Sequence, residues 1–450
     1  MGELSEHPRF KFSNPSILTF SNPLRSLLSP RSESWQKKRA QRPGLNTQDS
    51  ARKTTIAMKG KTAIAGLGIT QQGKVYHTNH VGFAVEAVHL ALEDAGLTRN
   101  DLDGLLVNPG LSWGDGGMAS FQLQQAMGVR NLRLSVAMSA GGATASAMIQ
   151  QATQAIDAGM CNVVACVFSD APLKPPRPRS AEPGSGKSDG GSAAAYAFAR
   201  GLDAAYGQFG INAMYAMVAR RHMHLYGTTN DHLGAIAVAE RQWANRNPAA
   251  QFYDTPMTIE DYQRSRWVVE PFHLFDCCLV SNGGLAVIVT SAARARDLKQ
   301  PPVYIWGMGQ GHPGGDPAET LTSGAVLAKE SAFRMAGVTL QDIDVVELYD
   351  CYTFTVLICL EDYGFCKKGE GGAFVADGKT APGGSLPVNT GGGQLSSFYM
   401  WGMTPVSEAV IQLRGSGGRR QVPEATIALV SGNGGILSTH STLVLASQAA

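Results

Sequence analysis

No apolar run in this chain is long enough to span a bilayer, which leaves no candidate for a membrane-crossing helix. Charge is sparse and balanced: 16% of residues are ionic, and 38 basic against 36 acidic side chains give a net charge of +2. That balance, with no arginine stripe interleaved with aromatics in the folded part, argues against a nucleic-acid surface. Cysteine is rare and odd in number. The seven thiols, Cys161, Cys166, Cys277, Cys278, Cys351, Cys359 and Cys366, fit neither a zinc-knuckle nor a disulfide spacing and stand mostly among apolar neighbours. A reducing cytoplasm is the simplest expectation. Glycine, at 52, and apolar residues, at 44%, are plentiful in the 450-residue chain. They supply the turns and the buried surface of a large globular protein with two or three core layers.

Residues 1–57 differ from the rest of the chain: they are rich in Ser, Pro, Arg and Lys, poor in acids, and without a helix or strand period. Such a composition predicts disorder. It fits a transit-type leader or an over-long gene start, and the second is preferred because "MKGKTAIAGLG" from Met58 reads as an enzyme opening on its first strand.

Downstream, the chain writes one phrase twice. "AGLTRNDLDGLLV" at 95–107 and "AGVTLQDIDVVEL" at 336–348 each follow a helix-like stretch and end in an apolar run. Gly96 and Gly337 stand where a helix needs a left-handed stop, and Thr98 and Thr339 where an oxygen caps a short turn. A second echo, "VSNGGLAVIVTS" at 280–291 against "VSGNGGILSTHSTLVLAS" at 430–447, keeps the same order. Two similar α/β halves are expected, 58–171 with 268–297 and 298–450. Between them, 172–267 reads as an inserted cap: a Pro- and Gly-rich loop, then two helices from "AMYAMVARRHMHLYG" and "DHLGAIAVAERQWANRN".

Two glycine turns, "SAGGATASAM" at 139–148 and "GGGQLSSFYMWGM" at 391–403, each lead into a helix. Free amides at a helix start suit a developing oxyanion; glycines there also let helix and strand pack closely. His222 and His224 lie two apart on one helix, on different faces, and make no metal pair. His312 is assigned to a loop against the cap, Cys351 to packing.

The order "VELYDCYT", "EDYGFC", "PVNTGGGQLS", "FYMWGM", "LVSGNGG", with "HLALEDAGL" near the start, resembles the thiolase superfamily. It is most similar to the thiolase-like lipid-transfer proteins related to sterol carrier protein thiolases. The resemblance covers about Lys59 to the C-terminus. It implies a five-layered αβαβα fold of two βαβαβαββ units with a cap inserted in the first. It also exposes what this chain lacks. Gly142 stands where thiolases keep the nucleophilic cysteine, Tyr399 where they keep the histidine of a Gly-His-Pro motif, and Tyr349 where they keep Asn or His. At the late Cys-x-Gly motif this chain offers Ser431 and Asn433. With no thiolate to form an acyl-enzyme, two phenols remain as acid/base groups.

The leading expectation is an enzyme of acyl-CoA thioesters that cleaves a β-hydroxyacyl-CoA by retro-aldol chemistry into a carbonyl compound and a short acyl-CoA. Tyr399 and Tyr349 would carry it, with Asp350 and His440 as further catalytic candidates and the backbone at Gly141, Gly142, Gly402 and Gly434 as oxyanion donors. One alternative is a Claisen-type acyltransferase using Ser139 as nucleophile; another is a non-catalytic acyl-CoA or sterol carrier subunit. The resemblance implies no cofactor beyond the coenzyme A of the substrate, no metal, a homodimer formed through the strand beside the first glycine turn, and a small OB-fold and zinc-ribbon partner protein.

Overall fold

A computed structural model describes residues 58–114, 116–176, 210–315, 319 and 321–450. The basic leader at 1–57 and most of the Pro- and Gly-rich loop after 172 lie outside the described residues. The strands are β1 Thr62–Ile69, β2 Gly104–Pro109, β3 Leu134–Ala137, β4 Val163–Asp170, β5 Trp267–Val269, β6 Phe272–His273, β7 Gly283–Ser291, β8 Val303–Gly311, β9 Val345–Leu348, β10 Ile427–Gly434 and β11 Thr439–Ala446. The helices are α1 His80–Ala95, α2 Ala119–Met127, α3 Thr144–Asp157, α4 Gly210–Tyr226, α5 Asn230–Ala244, α6 Ile259–Arg264, α7 Ala292–Ala295, α8 Ala325–Ala336, α9 Thr353–Tyr363, α10 Gly371–Ala376 and α11 Met403–Leu413.

The strand order β3-β2-β4-β7-β1-β8-β11-β10-β9 is a palindrome of two halves. In the first, β4 runs parallel to β2 and antiparallel to β7; in the second, β10 runs parallel to β9 and antiparallel to β11. The fifth strand of the second half is reduced to a parallel bridge, Val346 with Val388, where the first half has β3 beside β2. The halves join through the first strand of each, Ala63 opposite Tyr304 and Ile64 opposite Val303.

The repeated phrase is the repeated corner. Both helices before it end on a left-handed glycine, Gly96 at φ 73° and Gly337 at φ 66°. In both turns an aspartate accepts from the N–H and the hydroxyl of the capping threonine, Asp101 from Thr98 and Asp342 from Thr339. Each half also opens on a strand of alternating glycines. A β-carbon on Gly66 or Gly68 would strike the α1 backbone at Ala91 and Ala87, and one on Gly307 or Gly309 the α8 backbone at Ala332 and Ala328. Glycine thus lets an outer alanine-rich helix lie flush on each sheet.

Helices α3 and α11 fill the space between the half-sheets. Met148, Ile149, Val406 and Val410 share one buried cluster with Leu106, Cys166, Val287, Val430 and Leu443. Gln150 of α3 donates its side-chain amide to the carbonyls of Gly309 and Thr442 in the opposite half. With α1 and α2 outside one half-sheet and α8 and α9 outside the other, the layers run αβαβα. Between β4 and β7 the chain carries α4, α5, α6 and the β5–β6 hairpin, packed against α9 and α10. His312 differs from the expectation. Its ring bonds Thr439 and Gln310 at the ends of β11 and β8, because β8 pairs with β11 up to its last residue, Gly311 opposite His440, and so carries the loop toward β11.

Candidate active site

Tyr349 leaves β9 with its N–H on the Ser431 carbonyl, 2.9 Å, while Thr355 of α9 donates to its carbonyl. Tyr399 ends the segment 392–399, which begins with two left-handed glycines, Gly392 and Gly393, and continues as one π-type turn, Gly393–Ser397. Such turns concentrate at functional sites because they re-aim the residues after them. The Tyr399 N–H is held by the Ser281 hydroxyl at 3.1 Å. From these two positions, fifty residues apart, the phenols meet: the hydroxyls lie 2.9 Å apart, with ring centroids at 6.4 Å. Tyr349 is 5% exposed, whereas Tyr399 is only partly buried.

Gly142 explains how the pair fits. A β-carbon there would fall on Cε2 and Cζ of Tyr349 and on the Asn433 carbonyl. The Tyr349 ring therefore occupies the space that a side chain at 142 would need. The neighbouring glycines serve the same convergence. A β-carbon on Gly402 would strike the Gly142 carbonyl, one on Gly434 the Ala140 carbonyl, and one on Gly141 would stand 3.0 Å from Gly434.

The amides that follow the glycines in both turns are engaged internally. Ala143 and Thr144 donate to Ala140 and Gly141, and Met403 and Thr404 to Met400 and Trp401. Gly141, Gly142, Gly402 and Gly434 are points of close backbone approach.

Asp350 lies apart from the phenols. Its neighbour Tyr349 points to the phenol pair, but the Asp350 carboxylate is buried on the other side, where Oδ2 accepts the Gln394 and Leu395 amides at 2.7 and 3.1 Å. It anchors the π-type turn and touches neither phenol. On this far side lies a cavity of about 550 Å³ whose lining includes Glu347, Asp350, Asn389, Glu408 and Arg420. His440 is likewise a core group. Its Nε2 bonds the Ser431 and Tyr363 hydroxyls at 2.8 and 3.1 Å. Burial depresses its pKa to about 3, so the ring is neutral, and it hydrogen-bonds neither phenol.

Tyr215, Tyr352 and Cys278, to which sequence reasoning assigned no role, also stand around the pair. Tyr215 of α4 and Tyr352 stack at 4.7 Å, and the Tyr352 hydroxyl donates to Asn212 of α4. Asn433 donates its side-chain amide to the Tyr215 hydroxyl at 3.3 Å. An antiparallel bridge of Cys277 with Tyr352, and the Cys278 N–H on the Cys351 carbonyl, carry Cys278 to Tyr399 and Cys351 to Tyr215. The only available signal was that these residues flank the two motifs; Tyr215 lies in the insertion, where no motif reaches.

Burial dominates the electrostatics. It holds Tyr349, Tyr399 and Tyr215 well above the ordinary phenol value of 10, and it raises Cys278 and Cys351 as well. Neither thiol is a thiolate at neutral pH, so neither replaces the missing nucleophile. The phenols are not equivalent. Tyr399 is the more exposed of the two, and the bond between their hydroxyls accommodates either one as donor. Ser139 is exposed, and among the described residues no base hydrogen-bonds it.

Comparison with known proteins agrees with this geometry. Residues 315–447 match the family model for thiolase C-terminal domain-like sequences. The chain is 36% identical over 390 residues to a steroid side-chain-cleaving aldolase of Thermomonospora curvata, covering 84% of this chain and 96% of the relative. The chain belongs to the thiolase superfamily. A second thiolase-like relative, a 17-hydroxy-3-oxo-4-pregnene-20-carboxyl-CoA lyase of Mycobacterium tuberculosis, is 37% identical over 80% of this chain and 93% of its own. Among solved structures, an Ltp2-ChsH2(DUF35) aldolase superposes with a TM-score of 0.75 at 36% identity, covering 86% of this chain and 98% of that one.

Proposed function

We propose that the protein is an acyl-CoA carbon–carbon lyase, cleaving a β-hydroxyacyl-CoA by retro-aldol reaction into a carbonyl compound and a shorter acyl-CoA. The observation that carries this reading is the pair of phenol hydroxyls, Tyr349 and Tyr399, 2.9 Å apart beside Gly142. Tyr399, the more exposed of the two, reacts as its phenolate, stabilised by the Tyr349 hydroxyl, and takes the proton of the β-hydroxyl. The electrons of the breaking Cα–Cβ bond pass to the thioester as an enolate, and the β-carbon leaves as a carbonyl. Tyr399 then returns the proton to Cα, so no acid or base is consumed. A β-hydroxyl, not a β-ketone, is what a phenol base requires. The names of the two relatives at 36% and 37% identity support a steroid acyl chain as the substrate to try first.

The name of the solved neighbour, which joins two components, supports a small DUF35-type partner for this chain. A homodimer would pair copies along β3, the outermost strand of the first half, beside the exposed Leu111 and Phe121, 66% and 51% accessible. Light scattering of the wild type and of Phe121→Glu measures this, with loss of dimer mass expected in the variant.

The deciding experiment incubates the protein, alone and with a DUF35-type partner, with β-hydroxyacyl-CoA and β-ketoacyl-CoA compounds, and identifies products by mass. A carbonyl compound with a short acyl-CoA, lost on Tyr399→Phe, is the expected result. Two acyl-CoA products from a β-ketoacyl-CoA and free CoA would overturn it in favour of a hidden nucleophile.

A further inference from the structure

Glu240 of α5 and Asp350 meet in the core with one donor too few. Asp350 spends Oδ2 on the Gln394 and Leu395 amides, and Glu240 spends Oε1 on the Asn389 side-chain amide at 2.8 Å. Asp350 Oδ1 and Glu240 Oε2 are left buried without a hydrogen-bond partner. A β-carbon on Gly393 would stand 2.2 Å from Asp350 Oδ2 and 2.5 Å from Glu240 Oε2, so the two carboxyls crowd one point above that glycine. Two adjacent carboxylates in a dry core would each cost several kcal/mol. A single proton between them supplies the missing donor and removes one charge.

We propose that Glu240 and Asp350 share one proton, and that through this bond Glu240 is a positioning residue holding the cap and the Tyr399-bearing turn in register with Tyr349. The bond ties three pieces of chain: the inserted helix α5, the residue after Tyr349, and the glycine that starts the turn leading to Tyr399. Burial raises both groups, Asp350 to about 6 and Glu240 further, with the charge of Asp350 as the second cause for Glu240. Asp350 lines the 550 Å³ cavity, which gives the shared proton a way out.

The other charged and titratable groups around the pair have partners of their own. Glu347 accepts from Thr390, and Glu408 is paired with Arg420. Arg241 points to Ser396 and Thr255. On α9 and beside it, Glu361 and Asp362 bind His222 and Lys368, and Asp276 binds Tyr262 and Thr353. Cys278 and Cys351 stay protonated. Only Glu240 and Asp350, among the described residues, face each other without a donor.

The kinetic part of this proposal rests on the lyase reading; the part about the proton does not. The test monitors thermal unfolding of the full chain from pH 5 to 9, and turnover of a β-hydroxyacyl-CoA, in the wild type, Glu240→Gln, Asp350→Asn and Glu240→Ala. A carboxyl raised above its unfolded pKa contributes stability that is complete below the unfolded value and lost as pH rises through the folded one. The wild-type midpoint should therefore fall with rising pH. Glu240→Gln puts an amide N–H in place of the proton and should flatten that slope by about half or more. Asp350→Asn does the same from the other side and decides the point if Glu240→Gln does not fold. Glu240→Ala should lower kcat about tenfold below Glu240→Gln with KM within twofold. A wild-type slope in both amide variants would overturn the shared proton, and equal kcat in Glu240→Ala and Glu240→Gln would overturn the positioning role. A wild type with no lyase activity would refute the lyase reading while the unfolding slopes still judge the proton.

Discussion

At Tyr399 the chemistry asks for a group that accepts a proton while remaining mostly protonated at rest. Burial keeps the phenol neutral, and Tyr349 stands 2.9 Å away as a donor ready for the phenolate. General-base catalysis of this kind is worth about 10²–10⁴-fold. Tyr399→Phe should therefore lower kcat by about 10³-fold with little change in KM, as steady-state assays of product release would measure. Tyr349→Phe removes the bond that favours ionised Tyr399, so the rising limb of the pH–rate profile should move to higher pH. Gly142 gives the converse experiment. A thiol placed beside the phenols by Gly142→Cys should not confer thiolysis, because the new side chain would overlap the Tyr349 ring. Overpacking of this kind costs about 1–3 kcal/mol, readable in urea unfolding, and lyase activity should fall with it. Acyl transfer from a β-ketoacyl-CoA by the variant would refute this account of the site.

Among the elements, α4 delivers Tyr215 and Asn212 to the site and is pinned by a buried histidine. His222 bonds Glu361 of α9 at 3.0 Å and Thr228 at 3.0 Å, with no exposure of either ionic partner. Burial alone would raise the Glu361 pKa; His222, Lys368 and the Gly371 amide outweigh it and hold the carboxyl below its ordinary 4.5. A depressed carboxyl contributes stability above its unfolded pKa and loses it as pH falls through the folded one. His222→Ala should cost about 3–5 kcal/mol and make acid unfolding begin at higher pH, measurable by circular dichroism. The elements also mark how far the sequence could be read. The Gly-Thr-Asp corners were legible because helix stop and cap are local. Tyr349 and Tyr399 were legible as substitutions within ordered motifs, but their meeting was not, since it depends on left-handed turns and a π-type turn that no period announces. The Glu240–Asp350 contact left a trace that went unread: Glu240 falls on the apolar stripe of Leu233, Ile236, Ala237 and Ala244, all buried. A carboxylate on such a stripe needs a partner, and only the fold says which.

For the whole molecule, the question is whether two similar halves unfold as one. Their shared cluster around α3 and α11 argues that they do, because neither half-sheet can cover its inner face alone. One arginine tests the seam. Arg414, at the end of α11 in the second half, reaches Asp94 of α1 at 2.8 Å, the Ala65 carbonyl of β1 at 3.0 Å, and the Pro301 carbonyl between the halves at 3.1 Å. Asp94 in turn accepts the Leu67 amide, so one guanidinium ties both halves and their connection. Three bonds in three directions suit a planar fork and not an ammonium. Arg414→Met leaves Asp94 partly buried with its cation gone and two carbonyls short of a donor, a loss of about 2–4 kcal/mol. In urea the midpoint should fall while the slope stays constant and fluorescence and circular dichroism remain coincident, the behaviour of one cooperative unit. Arg414→Lys should recover less than half of the loss. Two separated transitions in the Met variant would mean that each half holds its own core, and that the layers between them are joined by contact alone.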